Sequence, residues 1–192
     1  MKTIIIGAGI SGTALLEMID NNEYTIVAFI DDDKAKHGKV IGGVPVVGNA
    51  SLIKNFAEAL PVGAIVSITD NSSRKKIYKA LKTLGFTILK VINQNSIIND
   101  KVKIQEGTVI MAGVIINSNV NIGVNNIVQS GAIIESNTFI GDHTLISSGA
   151  IIGSDVKIGE SVMIGMGSII ASGISISDNS VVAAGTVVSS DI

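Results

Sequence analysis

The stretch IIESNTFIGDHTLISSGAIIG, residues 133–153, repeats itself every six residues. Ile134, Ile140, Ile146 and Ile152 mark the period, and two positions before each stands a small or β-branched residue, Ala132, Thr138, Thr144 and Ala150. Stepping by six in both directions, from Ile98 to Val188, meets sixteen positions, and every one is Ile or Val. A six-residue period with one aliphatic residue per repeat predicts a parallel β-helix, three six-residue sides to a coil, with the period-six residue stacked inside. Residues 93–192 hold about five coils. No insertion breaks the register, so no long loop is expected to leave the prism.

The residue just before each period-six position points outward and reports on the surface. One side reads Lys103, Asn121, Phe139, Lys157, Ser175. A second reads Ile97, Ile115, Ile133, Ile151, Ile169, Val187, and a third Val109, Ile127, Leu145, Met163, Val181. Two apolar stripes of this length exceed what a soluble monomer exposes. Three prisms around a threefold axis would cover both, which predicts a homotrimer. The alternative is that part of this surface packs on the first domain.

Residues 1–92 follow a different pattern. KTIII is a short apolar strand ended by GAGISG; ISGTALLEMIDN has helical spacing, with Ala14, Leu15, Met18 and Ile19 on one side; YTIVAFI is a second strand ending at Asp31. A short strand around GVPVVG follows, then the helix SLIKNFAEAL, the strand GAIVSI, the helix SSRKKIYKALKTLG stopped by Gly85, and the strand FTILKVI. Alternation of this kind predicts an α/β, Rossmann-like domain with a parallel, helix-covered sheet. Gly7, Gly9 and Gly12 form Gly-x-Gly-x-x-Gly between strand and helix, where glycine lets the backbone approach a diphosphate. Asp31 ends the second strand nineteen residues after Gly12, where an acid can accept from a ribose hydroxyl. Taken alone, this pattern suits NAD as well as a nucleotide-sugar, and an inert packing domain is a third reading.

Composition narrows the function classes. Among 192 residues 46% are hydrophobic but only 3% aromatic, with 21 Gly and 2 Pro, so the apolar content is almost all aliphatic. The absence of cysteine excludes disulfides and thiolate metal sites, so no metal is expected. A net charge of −2 gives no broad basic surface for nucleic acid. The start MKTIIIGAG lacks the segments of a signal peptide, and no apolar run is long enough to span a membrane. A cytoplasmic protein is expected.

The two halves together resemble the bacterial nucleotide-sugar acetyltransferases of the sialic acid and bacillosamine type. The resemblance rests on GAGISG after the first strand, AFIDDDKAKHGKVIGGVPVVG after the second, the ITDNSSRKKIY segment, and coils written NIGVNN and IGDHTLISSGA. It covers essentially the whole chain. It implies that the first domain holds a nucleotide-linked amino sugar, with Gly7, Gly9, Ser11, Gly12, Asp31, Asp32 and Asn71 as contacts. It also implies that acetyl-CoA lies along the groove between neighbouring β-helices, by Gly149, Gly153 and Gly167, and that the product feeds surface glycan synthesis. Arg74, Lys75 and Lys76 could answer the diphosphate, or simply start a solvated helix.

The chain departs from the family where the chemistry is expected. The family's base, a histidine, usually stands at Ser136, with an acid at Asn137; it often has histidine at Leu145 and in the glycine loop near Ser11. None of these is present. Gln129 replaces an asparagine used near the acceptor. A serine hydroxyl alone is no base at neutral pH. Three readings follow: His143 acts across the trimer interface beside a neighbour's Ser136 corner; Glu135 accepts the proton in a buried setting; or the protein is a catalytically silent trimeric binding or scaffolding protein. O-acetylation of a sugar would need a stronger base. For His143 the plain alternative is a solvated turn residue bonded to Asp142, and His37 reads as a surface residue. Relatives also continue into a Gly-x-Pro-Ala-Lys tail, whereas this chain ends VVSSDI with no proline after Pro61. A more open coenzyme groove is the expectation.

Overall fold

A computed structural model of the chain describes residues 1–19, 24–58 and 62–192. The chain divides into two compact units, Met1–Val91 and Ile92–Ile192.

The first unit is built on a six-stranded sheet. Its elements are β1 (Lys2–Ile6), α1 (Ile10–Met18), β2 (Thr25–Ile30), β3 (Val40–Ile41), β4 (Val44–Gly48), α2 (Ile53–Ala57), β5 (Gly63–Val66), α3 (Asn71–Thr83) and β6 (Thr87–Ile88). The strand order is β3-β4-β2-β1-β5-β6. The pairs β1–β2, β1–β5, β2–β4 and β5–β6 are parallel, whereas β3 and β4 form an antiparallel hairpin. The sheet is therefore mixed, not wholly parallel. The hairpin turn falls on Gly42 and Gly43, whose φ of +54° and +83° are the pair of left-handed conformations that a tight hairpin needs and that glycine adopts without cost. Ile4, Ile6, Ala28, Ile30, Ala64, Val66, Leu81 and Ile88 bury one core.

Local signals account for the helices. Asp70 accepts from Ser73 N at 2.8 Å to cap α3, and Gly85, at φ +84°, follows its last turn. Helix α2 is shorter than its apolar pattern, because a 3₁₀ turn over Ala50–Leu52 precedes it. The expected far ends of the first two helices, residues 20–21 and 59–60, lie outside the described residues, as does Pro61. FTILKVI is not one strand: β6 stops at Ile88 and pairing resumes at Val91–Ile92.

The second unit is a stack of two-residue parallel strands in three sheets, consistent with a left-handed β-helix. Residues eighteen apart pair in register, Ile116 with Ile134 and Ile134 with Ile152, so one coil is three six-residue sides. From Ile110 to Val188 every period-six residue is buried; only Ile98 and Ile104, in the first coil, are partly exposed. The residue two before it is buried too, as at Ala132, Thr138, Thr144 and Ala150. Each corner turns on residues of positive φ: Asn119, Asn137, Asp155 and Gly173 at one; Gly107, Asn125, His143, Ser161 and Asn179 at the next; Gly113, Gly131, Gly149, Gly167 and Gly185 at the third. Asparagine, aspartate and glycine tolerate this region best.

The outer sides differ from the sequence expectation in one respect. The stripe from Ile97 to Val187 is exposed at both ends, 67% and 65%, and Ile169 at 41%. On the third side, however, Val109, Ile127 and Leu145 are buried within the single chain, and only Met163 and Val181 stand exposed. One apolar stripe, not two, is open along its length.

Candidate functional site

In the first unit the glycine loop is held by its own chain. Gly7 takes φ +104°, and a Cβ on it would stand 2.6 Å from Ser67 Oγ. A Cβ on Gly12 would overlap the carbonyl oxygen of Gly7, so α1 packs against the strand end only with glycine there. Ser67 Oγ donates to the carbonyls of Ile6 and Gly7 at 3.0 and 2.9 Å. Gly9 has open space beyond it, and Ser11 is half-buried at the start of α1.

Asp31 sits against this loop, and both its oxygens are engaged. Oδ2 accepts from Ala8 N at 2.7 Å and from Lys36 Nζ at 2.9 Å, and Oδ1 accepts from Asp33 N at 2.9 Å. Burial opposes its ionisation, but the bonds from Lys36, Asp33 and Ala8 outweigh that and hold the carboxyl below the usual aspartate value. Asp32 accepts from Ala50 N at 3.0 Å. His37 is half-buried and its Nε2 donates to the Asp31 carbonyl at 2.8 Å, so it is not a free surface residue. The acids expected at a ribose are thus tied to backbone.

A cavity of about 230 Å³ opens beyond the carboxyl ends of β1 and β2, lined among others by Gly7, Asp31, Asp32, Ile68 and Ser73. The chain steps from β1 to one side of the sheet and returns to its other side at β5, and crevices at such switch points are where open α/β sheets take ligands. Asn71 belongs to the adjacent helix start, where its Oδ1 accepts from Arg74 at 2.6 Å. Arg74 is not solvated. It is fully buried, donating to the carbonyls of Ile68 and Thr69 at 2.9 and 3.0 Å, and burial lowers its guanidinium to about 10 while Asp70 opposes the shift. It stays cationic at neutral pH and braces the loop instead of meeting solvent.

In the β-helix, the residues singled out fall on three different corners. Glu135 and Ser136 are half-buried on the corner that follows the exposed Ile97–Val187 stripe. Glu135 Oε2 accepts from Asn117 Nδ2 at 2.8 Å, one coil away, and Asn137 links Asn119 and Asp155 in a side-chain ladder at 3.1 and 3.2 Å. His143 is on the next corner and is only 4% exposed. Its Nδ1 accepts from Asn125 Nδ2 at 2.8 Å, while Asp142 Oδ1 accepts from Val124 N. It is therefore neither a solvated turn residue nor bonded through its ring to Asp142. Spacing of eighteen residues pairs Asn117 with Glu135 and Asn125 with His143; that signal was present in the sequence and points to both partners.

The third corner is the glycine column. A Cβ at Gly131, Gly149, Gly167 or Gly185 would meet nothing within 4 Å, so this edge is bare backbone facing open space, a shape that suits an extended ligand. Gln129 borders it, its Oε1 accepting from Ser148 N at 3.2 Å. Gly153 does not belong to this column. It shares the Glu135 corner, and a Cβ there would stand 2.6 Å from Ser172 N, so its glycine serves coil stacking. Among the described residues no cluster of three His, Cys, Asp or Glu stands ready for a metal, and no helix is long and apolar enough to cross a membrane.

Fold and corners together define a hexapeptide-repeat protein with a small α/β unit on its N-terminal side. A family model described as the GMPPB C-terminal domain matches residues 92–191, more than half of the chain, and one described as the PglD N-terminal domain matches residues 2–81. Over its β-helix the chain belongs to the family of the GMPPB C-terminal domain, and the match of its first unit to the PglD N-terminal domain agrees with the resemblance to the bacterial nucleotide-sugar acetyltransferases of the sialic acid and bacillosamine type. The acetyltransferase domain of PglB from Neisseria gonorrhoeae is similar at a TM-score of 0.89 and 25% identity, over 100% of this chain and 92% of that one. PerB from Caulobacter crescentus, solved in complex with CoA and GDP-perosamine, is similar at a TM-score of 0.81 and 27% identity, over 100% and 90%. The probable polysaccharide biosynthesis protein EpsC of Bacillus subtilis is 37% identical over 68 residues, 34% of this chain; the match spans 11% of that relative's length.

Proposed function

We propose that the protein is an acetyl-CoA-dependent N-acetyltransferase acting on a nucleotide-linked amino sugar for surface glycan synthesis. The observation that carries the reading is the end-to-end likeness to PerB, described with CoA and GDP-perosamine bound. The first unit, read as a Rossmann-like domain, takes the nucleotide in the cavity beside Gly7 and Ser73. Since Asp31 and Asp32 are engaged, contacts to the sugar nucleotide fall to loop amides, Ser11, Ser73 and Asn71. Acetyl-CoA lies along the bare edge of Gly149 and Gly167, with Gln129 beside it. The chain works as a cytoplasmic homotrimer that covers the Ile97–Val187 stripe.

The chemistry follows from what the Ser136 corner holds. With acetyl-CoA held along the glycine edge of a neighbouring subunit, the sugar amine at the Ser136 corner attacks the thioester carbonyl; a C–N bond forms, the C–S bond breaks, and the amine proton passes to Glu135, which returns it to the departing thiolate. Glu135 is preferred to His143 because the imidazole is buried with Nδ1 occupied. The Ser136 hydroxyl, half-buried at the same corner, is placed to donate to the acceptor sugar. Holding two reactants together contributes about 7–11 kcal/mol, more than the ~10²- to 10⁴-fold from a positioned base, so transfer survives a weak one.

A silent nucleotide-sugar-binding protein is the second reading, favoured by serine at 136. Calorimetric titration with acetyl-CoA, and separately with GDP-perosamine and a UDP-linked 4-amino sugar, separates the two. Saturable binding of acetyl-CoA and of one sugar, at one site each per subunit, supports the transferase. Sugar binding without coenzyme binding overturns it.

A further inference from the structure

One side-chain pair at the Ser136 corner is not explained by coil stacking. The corner positions at eighteen-residue spacing are Asn99, Asn117, Glu135, Gly153 and Ala171. Asn99 turns back on its own loop, accepting from Lys101 N at 3.1 Å. Asn117 instead reaches along the stack and donates to Glu135 Oε2 at 2.8 Å, which is the only side-chain hydrogen bond of Glu135 among the described residues. Below Glu135 the corner is bare, because Gly153 admits no side chain: its Cβ would meet Ser172 N at 2.6 Å. The carboxylate is thus tethered through Oε2 from the preceding coil, and Oε1 carries no hydrogen bond among the described residues. Of the other charged groups on this corner, Asp155 is held by Asn137 Nδ2 at 3.2 Å, Asp191 Oδ1 accepts from Ser175 N at 2.8 Å, and Asp100 and Lys101 belong to the turn two coils before Glu135.

We infer that Asn117 is a positioning residue for acyl transfer, fixing the Glu135 carboxylate so that Oε1 meets the acceptor amine; this rests on the proposed function. A neutral amide suits the task. It orients a carboxylate through one oxygen, where an arginine or lysine would stabilise the anion strongly and make it a poorer proton acceptor. Coil cohesion does not require the bond, since the backbone ladder, with Glu135 N donating to Ile152 O at 2.9 Å, and the Asn119–Asn137–Asp155 ladder already join these coils. Asn117 itself touches no reacting atom; it acts through Glu135.

The test uses full-length protein, acetyl-CoA, and GDP-perosamine and a UDP-linked 4-amino sugar as acceptors, with the pH profile of kcat/KM as the readout. In Asn117→Ala, kcat falls about tenfold with KM for acetyl-CoA unchanged, as expected when a base loses its placement. In Asn117→Asp, a carboxylate replaces the amide against Glu135, and the acid limb moves to higher pH by more than in Asn117→Ala, because two facing carboxylates share a proton. Both positions are on an outer corner, and unchanged thermal unfolding separates these effects from misfolding. Wild-type protein that acetylates neither sugar overturns the proposed function and this inference with it. If the wild type is active and Glu135→Gln is equally active, Glu135 leaves the chemistry and Asn117 with it, while the transferase stands. If Glu135→Gln is inactive but the acid limb of Asn117→Asp matches wild type, the positioning role alone falls.

Discussion

The amide of Ala8 donates to Asp31 Oδ2 at 2.7 Å, so the carboxylate that ends β2 clasps the glycine loop that ends β1. Asp31→Asn removes the charge from three hydrogen bonds and is expected to cost about 1.5–3 kcal/mol, read as a lower midpoint in urea unfolding at pH 7. The pH dependence has a defined sign. Because the folded carboxyl titrates below its ordinary value, its contribution is present above about pH 4 and is lost as pH falls through the folded-state value. The wild type and Asp31→Asn therefore converge in stability at the acid end; a difference that persists unchanged there contradicts the assignment.

Gly149→Asn and Gly167→Asn probe the bare corner. Both glycines have positive φ, +68° and +62°, a conformation asparagine tolerates, and neither has a neighbour within 4 Å of a Cβ. The fold is expected to lose less than about 1 kcal/mol. Acetyl-CoA binding weakens at least tenfold, measured by calorimetry, because the new side chains enter the groove. Unchanged affinity removes this edge from the coenzyme site.

On the open stripe, Ile151 and Ile169 point outward without supporting the core of their own prism. If the proposed trimer forms on this stripe, the double substitution Ile151→Glu and Ile169→Glu is expected to leave a monomer in sedimentation equilibrium, with the β-helix still folded by circular dichroism. Desolvating charge at an apolar contact drives the change. A trimer that survives both charges assembles through another surface.

Ser136→His puts a histidine where the family resemblance implies the base, next to Glu135. Turnover is expected to rise by up to ~10²-fold, the lower range for a positioned base, with little change in KM. Intact binding of both substrates with no gain in turnover counts against acyl-transfer geometry at this corner.

Arg74→Met tests the brace under the cavity. Deleting the guanidinium leaves the carbonyls of Ile68 and Thr69 without its donors, at about 1–3 kcal/mol each when buried, so a clear fall in thermal midpoint is expected together with weaker nucleotide-sugar binding. Unaltered stability shows that water replaces the brace.

The β-helix was legible in the amino-acid sequence because its physics is one-dimensional. Each coil adds three six-residue sides to the one before, so Ile134 buries for the same reason as Ile152, and a period of six suffices to say which residues face inward. The alternation of strand and helix in the first unit was legible too, though the β3–β4 hairpin was not, its only mark being Gly42–Gly43. The eighteen-residue spacing pointed to which coil neighbours could meet, but tertiary structure decided which polar groups are buried and bonded. Asp31 has the spacing of a ribose ligand but lies within reach of Ala8 N; Arg74 opens a helix yet is wholly buried; His143 looks like a turn residue but accepts from Asn125 on the neighbouring coil. Burial of an aliphatic side chain is non-directional and needs only the right face. A hydrogen bond needs its partner at about 3 Å and the right angle, and only packing sets that distance.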